Sequence, residues 1–227
     1  RVVAEARKLD SITFEEMLEM ASLGSKVLQT RAVEFAGKYK VKLRVLSSFE
    51  TAGNGTIITY EDKKNMENPI ISGIAFVKDE AELSVLGVPD MPGIAYQILG
   101  PVADAKIDVD MIIQNIAEAG RTDMTFSCPT DQVIRAEKAL QDAKDTGVIN
   151  FSELIADTQA AKVSAVGIGM RSQSGVAAKM FKTLSDEGIN IKVIATSEIK
   201  ISVLIDRKYM ELAVQSLHDA FELDKVS

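Results

Sequence analysis

Residues 83–115 read LSVLGVPDMPGIAYQILGPVADAKIDVDMIIQN, and residues 163–197 read VSAVGIGMRSQSGVAAKMFKTLSDEGINIKVIATS. The second stretch repeats the first. Gly87 corresponds to Gly167. After a two-residue insertion Gly93 falls with Gly175, Ile94 with Val176, Ala95 with Ala177, Ile107 with Ile189, Val109 with Ile191 and Asn115 with Ser197. Further on, Met124 falls with Ile201, Ala136 with Ala213 and Leu140 with Leu217. Chance could match a few apolar pairs, but it would not readily align the glycines and the apolar period together. The pattern is that of a duplicated module of about 75 residues.

Each copy spells strand, helix, strand, strand, helix. In the first, alternation and 3.6-residue spacing predict strand 82–88, helix 93–105, strand 107–116, strand 122–127, helix 132–143 and strand 149–155, a βαββαβ order. The second has strand 162–168, helix 175–187, strand 189–196, strand 200–205 and helix 209–221, and then runs out. It lacks a last strand. Residues 70–77 form a strand that belongs to neither copy by position and can supply it. The expected fold is therefore α+β: two interlocked ferredoxin-like modules, the first over 81–158 and the second over 162–224 plus 70–77. The plainer alternative pairs 70–77 at the edge of the first copy.

The preceding residues are of another kind. Residues 1–40 look helical, with Asp10 or Ser11 as a cap and Glu15, Glu16 and Glu19 on a solvated face. Short strands follow near 41–45 and 56–60. A charged, polar run closed by Pro69 reads as a linker, so residues 1–66 are set apart as a small helix-and-strand segment.

The totals narrow the function. A chain of 227 residues with formal net charge −7 offers nothing to neutralise a row of phosphates, which argues against nucleic acid and anionic membrane. A single cysteine precludes an internal disulfide and fits a reducing compartment. No apolar run is long enough to span a bilayer and no signal peptide opens the chain, so a cytoplasmic location is expected. The start at Arg1 suggests a piece of a longer chain.

Both strand-to-helix loops can hold a ligand. The first is Val88-Pro89-Asp90-Met91-Pro92-Gly93, the second Gly169-Met170-Arg171-Ser172-Gln173-Ser174-Gly175. Glycine lets backbone approach a ligand, and a helix N-terminus offers free N–H groups to a carboxylate. Asp90 can receive an ammonium. Asp108, Asp110, Gln114 and Asn115 follow on the next strand, with Asn190, Thr196 and Ser197 at related places in the other copy. That set suits a free α-amino acid; the bland alternative is an ordinary Pro-Gly turn with Asp as a cap. Other signals are weaker. Val166-Gly167-Ile168-Gly169 is better read as a tight turn than as a dinucleotide fingerprint. His218 has no ligating neighbours at metal spacing, and Cys128 is a buried thiol rather than a nucleophile. No catalytic constellation stands out.

The doubled module with its D-x-P-G loop resembles a tandem pair of ACT domains. EARKLDSITFEEMLEMASLGSKVLQTRAVE near the start resembles the end of the catalytic domain of the aspartate kinase family. VLGVPDMPGIA, IDVDMIIQN, TDMTF, VGIGMRSQSGVA and TSEIKISVLID resemble its regulatory half. Gln29-Thr30, where many relatives have His-Pro, and Ala4, where Pro is common, depart from the pattern outside the sensor modules.

The resemblance implies the regulatory, amino-acid-sensing portion of an enzyme that phosphorylates the side-chain carboxylate of L-aspartate, the first step toward lysine, threonine, methionine and isoleucine. ATP and Mg²⁺ would serve the complete enzyme through a catalytic half missing here, with no cofactor in this chain and no activity of its own. By motif, threonine would meet Asp90, Met91, Pro92, Gly93, Ile94, Ala95, Gln114, Val176, Ala177, Asn190 and Ile191. Lysine would meet Asp90, Asp108, Val109, Asp110 and Ser197. Thr125 is expected to matter for inhibition, and chains to associate through their modules as a homodimer or heterotetramer. Two alternatives stand beside this: a ligand-free structural dimerisation module, with Arg171 and Gln173 marking a dead second loop, and another amino-acid-regulated enzyme that borrows the same pair.

Overall fold

The computed structural model describes residues 2–49, 53–60, 70–115 and 120–225. The linker expected at 61–69 lies outside them. The chain forms two compact units, one of Lys78–Ala161 and one of Arg1–Val77 with Lys162–Ser227.

The 78–161 unit holds the first repeat. Its elements are strand β4 (Gly73–Pro89), whose later residues belong here, α3 (Ile94–Asp104), β5 (Ile112–Gln114), β6 (Arg121–Pro129), α4 (Val133–Asp145) and the first part of β7 (Glu153–Val166). The strands lie in the order β5-β6-β4-β7. Ile94, Ile98 and Val102 recur at i, i+4 and i+8 on α3, and Val133, Ala136, Leu140 and Ala143 line one face of α4. Both faces close on Ala81, Leu83 and Val85 of β4 and Met124, Phe126 and Cys128 of β6. Each large side chain fully buried there contributes roughly 1.5–3 kcal/mol.

In the other unit the early residues form β1 (Ser11–Thr13), α1 (Phe14–Ser22), α2 (Thr30–Lys38), β2 (Leu43–Val45) and β3 (Thr56–Thr59). The three strands make a sheet in the order β1-β3-β2, with β1 parallel to β3. Ile12, Phe14, Met17, Val33, Ala36 and Ile58 form its core. The second repeat contributes the end of β7, α5 (Val176–Asp186), β8 (Ile191–Thr196), β9 (Lys200–Asp206) and α6 (Met210–Ala220). Its strand order is β4-β7-β9-β8, so the strand that precedes the first module completes the second. Ser72 donates its N–H to Val166 O at 2.8 Å, and Ala75 buries against Val166 and Leu23. The apolar stripes repeat residue for residue: Val176, Met180 and Leu184 on α5; Met210, Ala213 and Leu217 on α6.

Four expectations change. The strands expected at 70–77 and 82–88 are one strand, β4, which begins only at Gly73: Glu80 is buried and accepts a hydrogen bond from Ser127 Oγ at 2.8 Å, so the charged run between them stays in the sheet. Likewise 149–155 and 162–168 give one strand, β7, beginning at Glu153. The strand expected over 107–116 shrinks to β5; Ile107 and Met111 turn inward, while Asp108 N–H leaves the sheet for Gln132 Oε1 at 2.9 Å. Finally, among the described residues no helix precedes Phe14. The cap of α1 is Thr13, in a capping box with Glu16, and not Asp10 or Ser11.

Candidate functional site

The two strand-to-helix loops share one backbone device. Gly93 (φ 94°) and Gly175 (φ 88°) precede α3 and α5 in the left-handed region, and neither helix has a side-chain cap. A Cβ on either glycine would meet nothing within 4 Å, so each loop opens onto free space in front of a helix N-terminus.

In the first module Asp90 and Met91 are exposed on that loop, and Asp90 N–H is fixed to Gly120 O at 2.9 Å. Arg121 donates to Gly87 O at 2.6 Å and Asp123 Oδ1 accepts from Gly87 N–H at 2.7 Å, which secures the bulge between Val85 and Val88 in the β4–β6 pairing. Val88 pairs with Thr122, whose hydroxyl donates to Asn115 O. Gln114 pairs with Met124. Asp90 to Ala95, Gln114 and Asn115 therefore gather at one end of β6.

Asp108, Val109 and Asp110 do not join them. Asp110 N–H donates to Ser127 O, five residues along β6 from Thr122, a separation of roughly 17 Å at about 3.3 Å per residue. Asp108 is held there by Gln132, whose Nε2 lies 3.3 Å from Asp108 Oδ2. Thr125 lies between the two ends, its hydroxyl 2.8 Å from that of Ser84.

The second module divides in the same way. A pocket of about 580 Å³ is bounded by Met170, Arg171, Gln173, Gly175, Val176, Ala177, Thr196, Ser197, Glu198 and Ile201. Val176, Ala177 and Ser197 thus come together. Asn190 and Ile191 border a separate hollow with Phe181, Ser185 and Gly188, at the far end of β8. Thr196 pairs with Ile201 and Ile191 with Ile205, four residues or roughly 13 Å further on.

The sequence reading missed what surrounds the second loop. Glu16, expected on a solvated face, is 3% exposed. Its Oε2 accepts from Thr13 N–H and the Thr13 hydroxyl at 3.2 and 2.8 Å; its Oε1 accepts from Ser72 Oγ and Ile168 N–H at 2.6 and 3.0 Å. A buried carboxylate is tolerable when its oxygens are satisfied in this way. On the same helix Glu15 bonds Arg171 Nη2 at 2.6 Å and Glu19 pairs with Lys200 at 2.9 Å. Arg171 Nε also lies 3.3 Å from Glu198. The spacing Thr13-x-x-Glu16 was a readable signal of the cap; the ties to the second repeat, more than 150 residues away, had none.

Gly167, in the dinucleotide-like run, has a packing role: a Cβ there would lie 2.3 Å from Ile70 O. His218 is buried, its Nδ1 3.4 Å from Asp219 Oδ1. Among the described residues no group of three or more His, Cys, Asp or Glu could hold a metal ion, and no helix is long and apolar enough to cross a membrane.

Two βαββαβ units, one built on the other's leading strand, define a tandem of duplicated regulatory-type α+β domains. Accordingly, ACT domains match over residues 81–145 and 163–221. The chain is 60% identical to an aspartate kinase of Pseudomonas fluorescens over 225 residues, covering 99% of this chain and 54% of that protein. A crystal structure of aspartokinase alpha and beta subunits is similar at 55% identity and TM-score 0.63, over 67% of this chain and 99% of that one. The ligand-free regulatory subunit of aspartate kinase from Thermus thermophilus is similar at 39% identity and TM-score 0.63, over 67% and 99%. This chain belongs to the aspartate kinase family and carries its regulatory ACT region. It spans about half the length of the kinases it matches.

Proposed function

We propose that this chain senses free amino acids, threonine, lysine or both, and passes feedback inhibition to a catalytic domain that transfers a phosphoryl group from ATP, with Mg²⁺, to the side-chain carboxylate of L-aspartate. The observation that carries this is the pocket of the second module. It sets a guanidinium (Arg171), a carboxylate (Glu198) and an uncapped helix start around one space. These groups complement the carboxylate and ammonium of a zwitterion.

The division of each module into two ends supports a further step. The loop end of one module carries the groups for the backbone of an amino acid, and the far end carries Asp108 to Asp110 in one copy and Asn190 with Ile191 in the other. These cannot meet within a module across 13–17 Å. They can meet if the loop end of a first module lies against the far end of a partner chain's second module. Strands β5 and β8, at the sheet edges, would form that seam, and their exposed Ile112 and Ile194 suit it. In such a site Gln114 or the partner chain's Asn190 would serve the hydroxyl of threonine, while Asp108 or Asp110, at the other end of the same seam, would receive the side-chain ammonium of lysine against the loop end of the partner chain's second module.

The test is calorimetric titration with threonine, then with lysine in its presence, with sedimentation alongside. Saturable binding that tightens a dimer is expected. A stable dimer with no heat from either ligand would overturn the reading in favour of a structural dimerisation module.

A further inference from the structure

The walls of the second-module pocket are held to α1 by the three carboxylates of that helix. Arg171 stands at the junction. It lines the pocket, pairs directly with Glu198 at 3.3 Å, and bonds Glu15 at 2.6 Å. Glu16 takes the N–H of Ile168 at the root of the same loop, and Glu19 holds Lys200 beside the turn that carries Ser197 and Glu198. Ser197 N–H in turn donates to Lys200 O at 2.8 Å. The opposite side of α1 buries Phe14 and Met17 in the core beneath the three-stranded sheet. A displacement of the pocket walls therefore reaches that sheet through α1.

We propose that Arg171 is the relay between pocket and helix. A free amino acid entering the pocket takes the guanidinium with its α-carboxylate, Glu198 leaves Arg171 for its ammonium, and the Glu15–Arg171 bond is released. The exchange is close to balanced. Glu15 and Arg171 have side chains 58% and 36% exposed, and such pairs hold weakly in water. A ligand carboxylate adds the N–H groups at the start of α5 to the same guanidinium. The inference rests on the reading of this pocket as an amino-acid site.

By linkage, ligand and Glu15 compete for Arg171, so removing one must favour the other. The test uses the full-length enzyme and its Glu15→Gln and Arg171→Gln variants, titrated with threonine and with lysine. Hydrogen exchange is followed over 14–22 and 197–201. In the wild type, saturation should alter exchange in both segments by threefold or more. Glu15→Gln should bind two- to fivefold more tightly, keep the response at 197–201 and lose that at 14–22. Arg171→Gln should weaken binding tenfold or more. Unchanged affinity and an intact α1 response in Glu15→Gln would overturn the relay while leaving the sensor standing. A wild type that binds neither amino acid would overturn both. Because Glu15 is exposed, its variant should melt with the wild type, so the test survives if Arg171→Gln folds poorly.

Discussion

The two modules descend from one repeat, yet their first loops are wired differently. In the first, Asp90 is exposed and, among the described residues, its loop is tied into its own module through Gly120, Arg121 and Asp123. In the second, the equivalent loop is tied to α1, an element outside the repeat, through Glu15 and Glu16. The cross-strand hydroxyl pairs show the same contrast. Ser84 and Thr125 are partly buried, whereas their counterparts Ser164 and Ser202, 2.7 Å apart, are almost wholly buried. Duplication supplied two copies of one scaffold. One loop is exposed at Asp90 and Met91, and the other connects its pocket to α1.

The largest break in that comparison should come from equivalent glycines. Gly167 lies in extended backbone, but a Cβ would stand 2.3 Å from Ile70 O and 2.6 Å from Ile71 Cα, both backbone and unable to yield cheaply. Gly87 (φ 66°) meets the hydroxyl of Ser152 instead. Gly167→Ala should cost about 3 kcal/mol or more and Gly87→Ala about 1–2 kcal/mol, from left-handed strain with a movable neighbour. Urea denaturation of both variants decides it. Equal midpoints would mean that the chain entering β4 at Ile70 and Ile71 is not what Gly167 accommodates.

Glu16→Ala comes next. It strands the N–H of Thr13, the N–H of Ile168 and two hydroxyls, and removes half of a capping box. A loss of roughly 2–3 kcal/mol is expected, with Glu16→Gln costing less because the amide oxygen keeps some of these bonds. A midpoint unmoved by Glu16→Ala would show that the tie between α1 and the second loop contributes nothing to stability.

Much of this arrangement was legible. The offsets that align Gly93 with Gly175 and Ile94 with Val176 gave the repeat, and the missing last strand of the second copy pointed to the residues before the first. What escaped notice depended on partners far apart in sequence. Glu80 looked like a strand break because nothing local announces Ser127 as its acceptor's donor. Glu16 looked solvated because the groups that satisfy it include Ser72 and Ile168. Asp108 and Asp110 group with Asp90 by motif; α3 carries the chain back to the far end of the sheet before residue 107, and the antiparallel register of β5 on β6 keeps them there.

On the ligand side, Asp90→Ala should weaken effector binding tenfold or more, about 1.4 kcal/mol, with the fold intact. The loss should be seen by calorimetry while the thermal midpoint of the unliganded protein holds. Unchanged binding would remove the first loop from the sensor and leave the second to act alone.

The smallest effect at neutral pH is expected at Cys128, and it separates the modules again. Its counterpart in the second repeat is Ile205, equally buried. Cys128 therefore occupies an apolar core position with a group that can ionise. Burial, aided by the charges of Glu80 and Asp131, pushes its thiol from 9.0 up to about 11. Because the folded state holds the proton more tightly, the stabilisation is complete below about pH 9 and is lost as pH rises toward 11. Cys128→Val should change stability by less than about 1.5 kcal/mol at pH 7 and should remove that alkaline loss. Denaturation midpoints at pH 7 and pH 10.5 for both proteins check the sign: an equal alkaline decline in the variant would assign the loss to other groups and leave Cys128 and Ile205 equivalent as core residues.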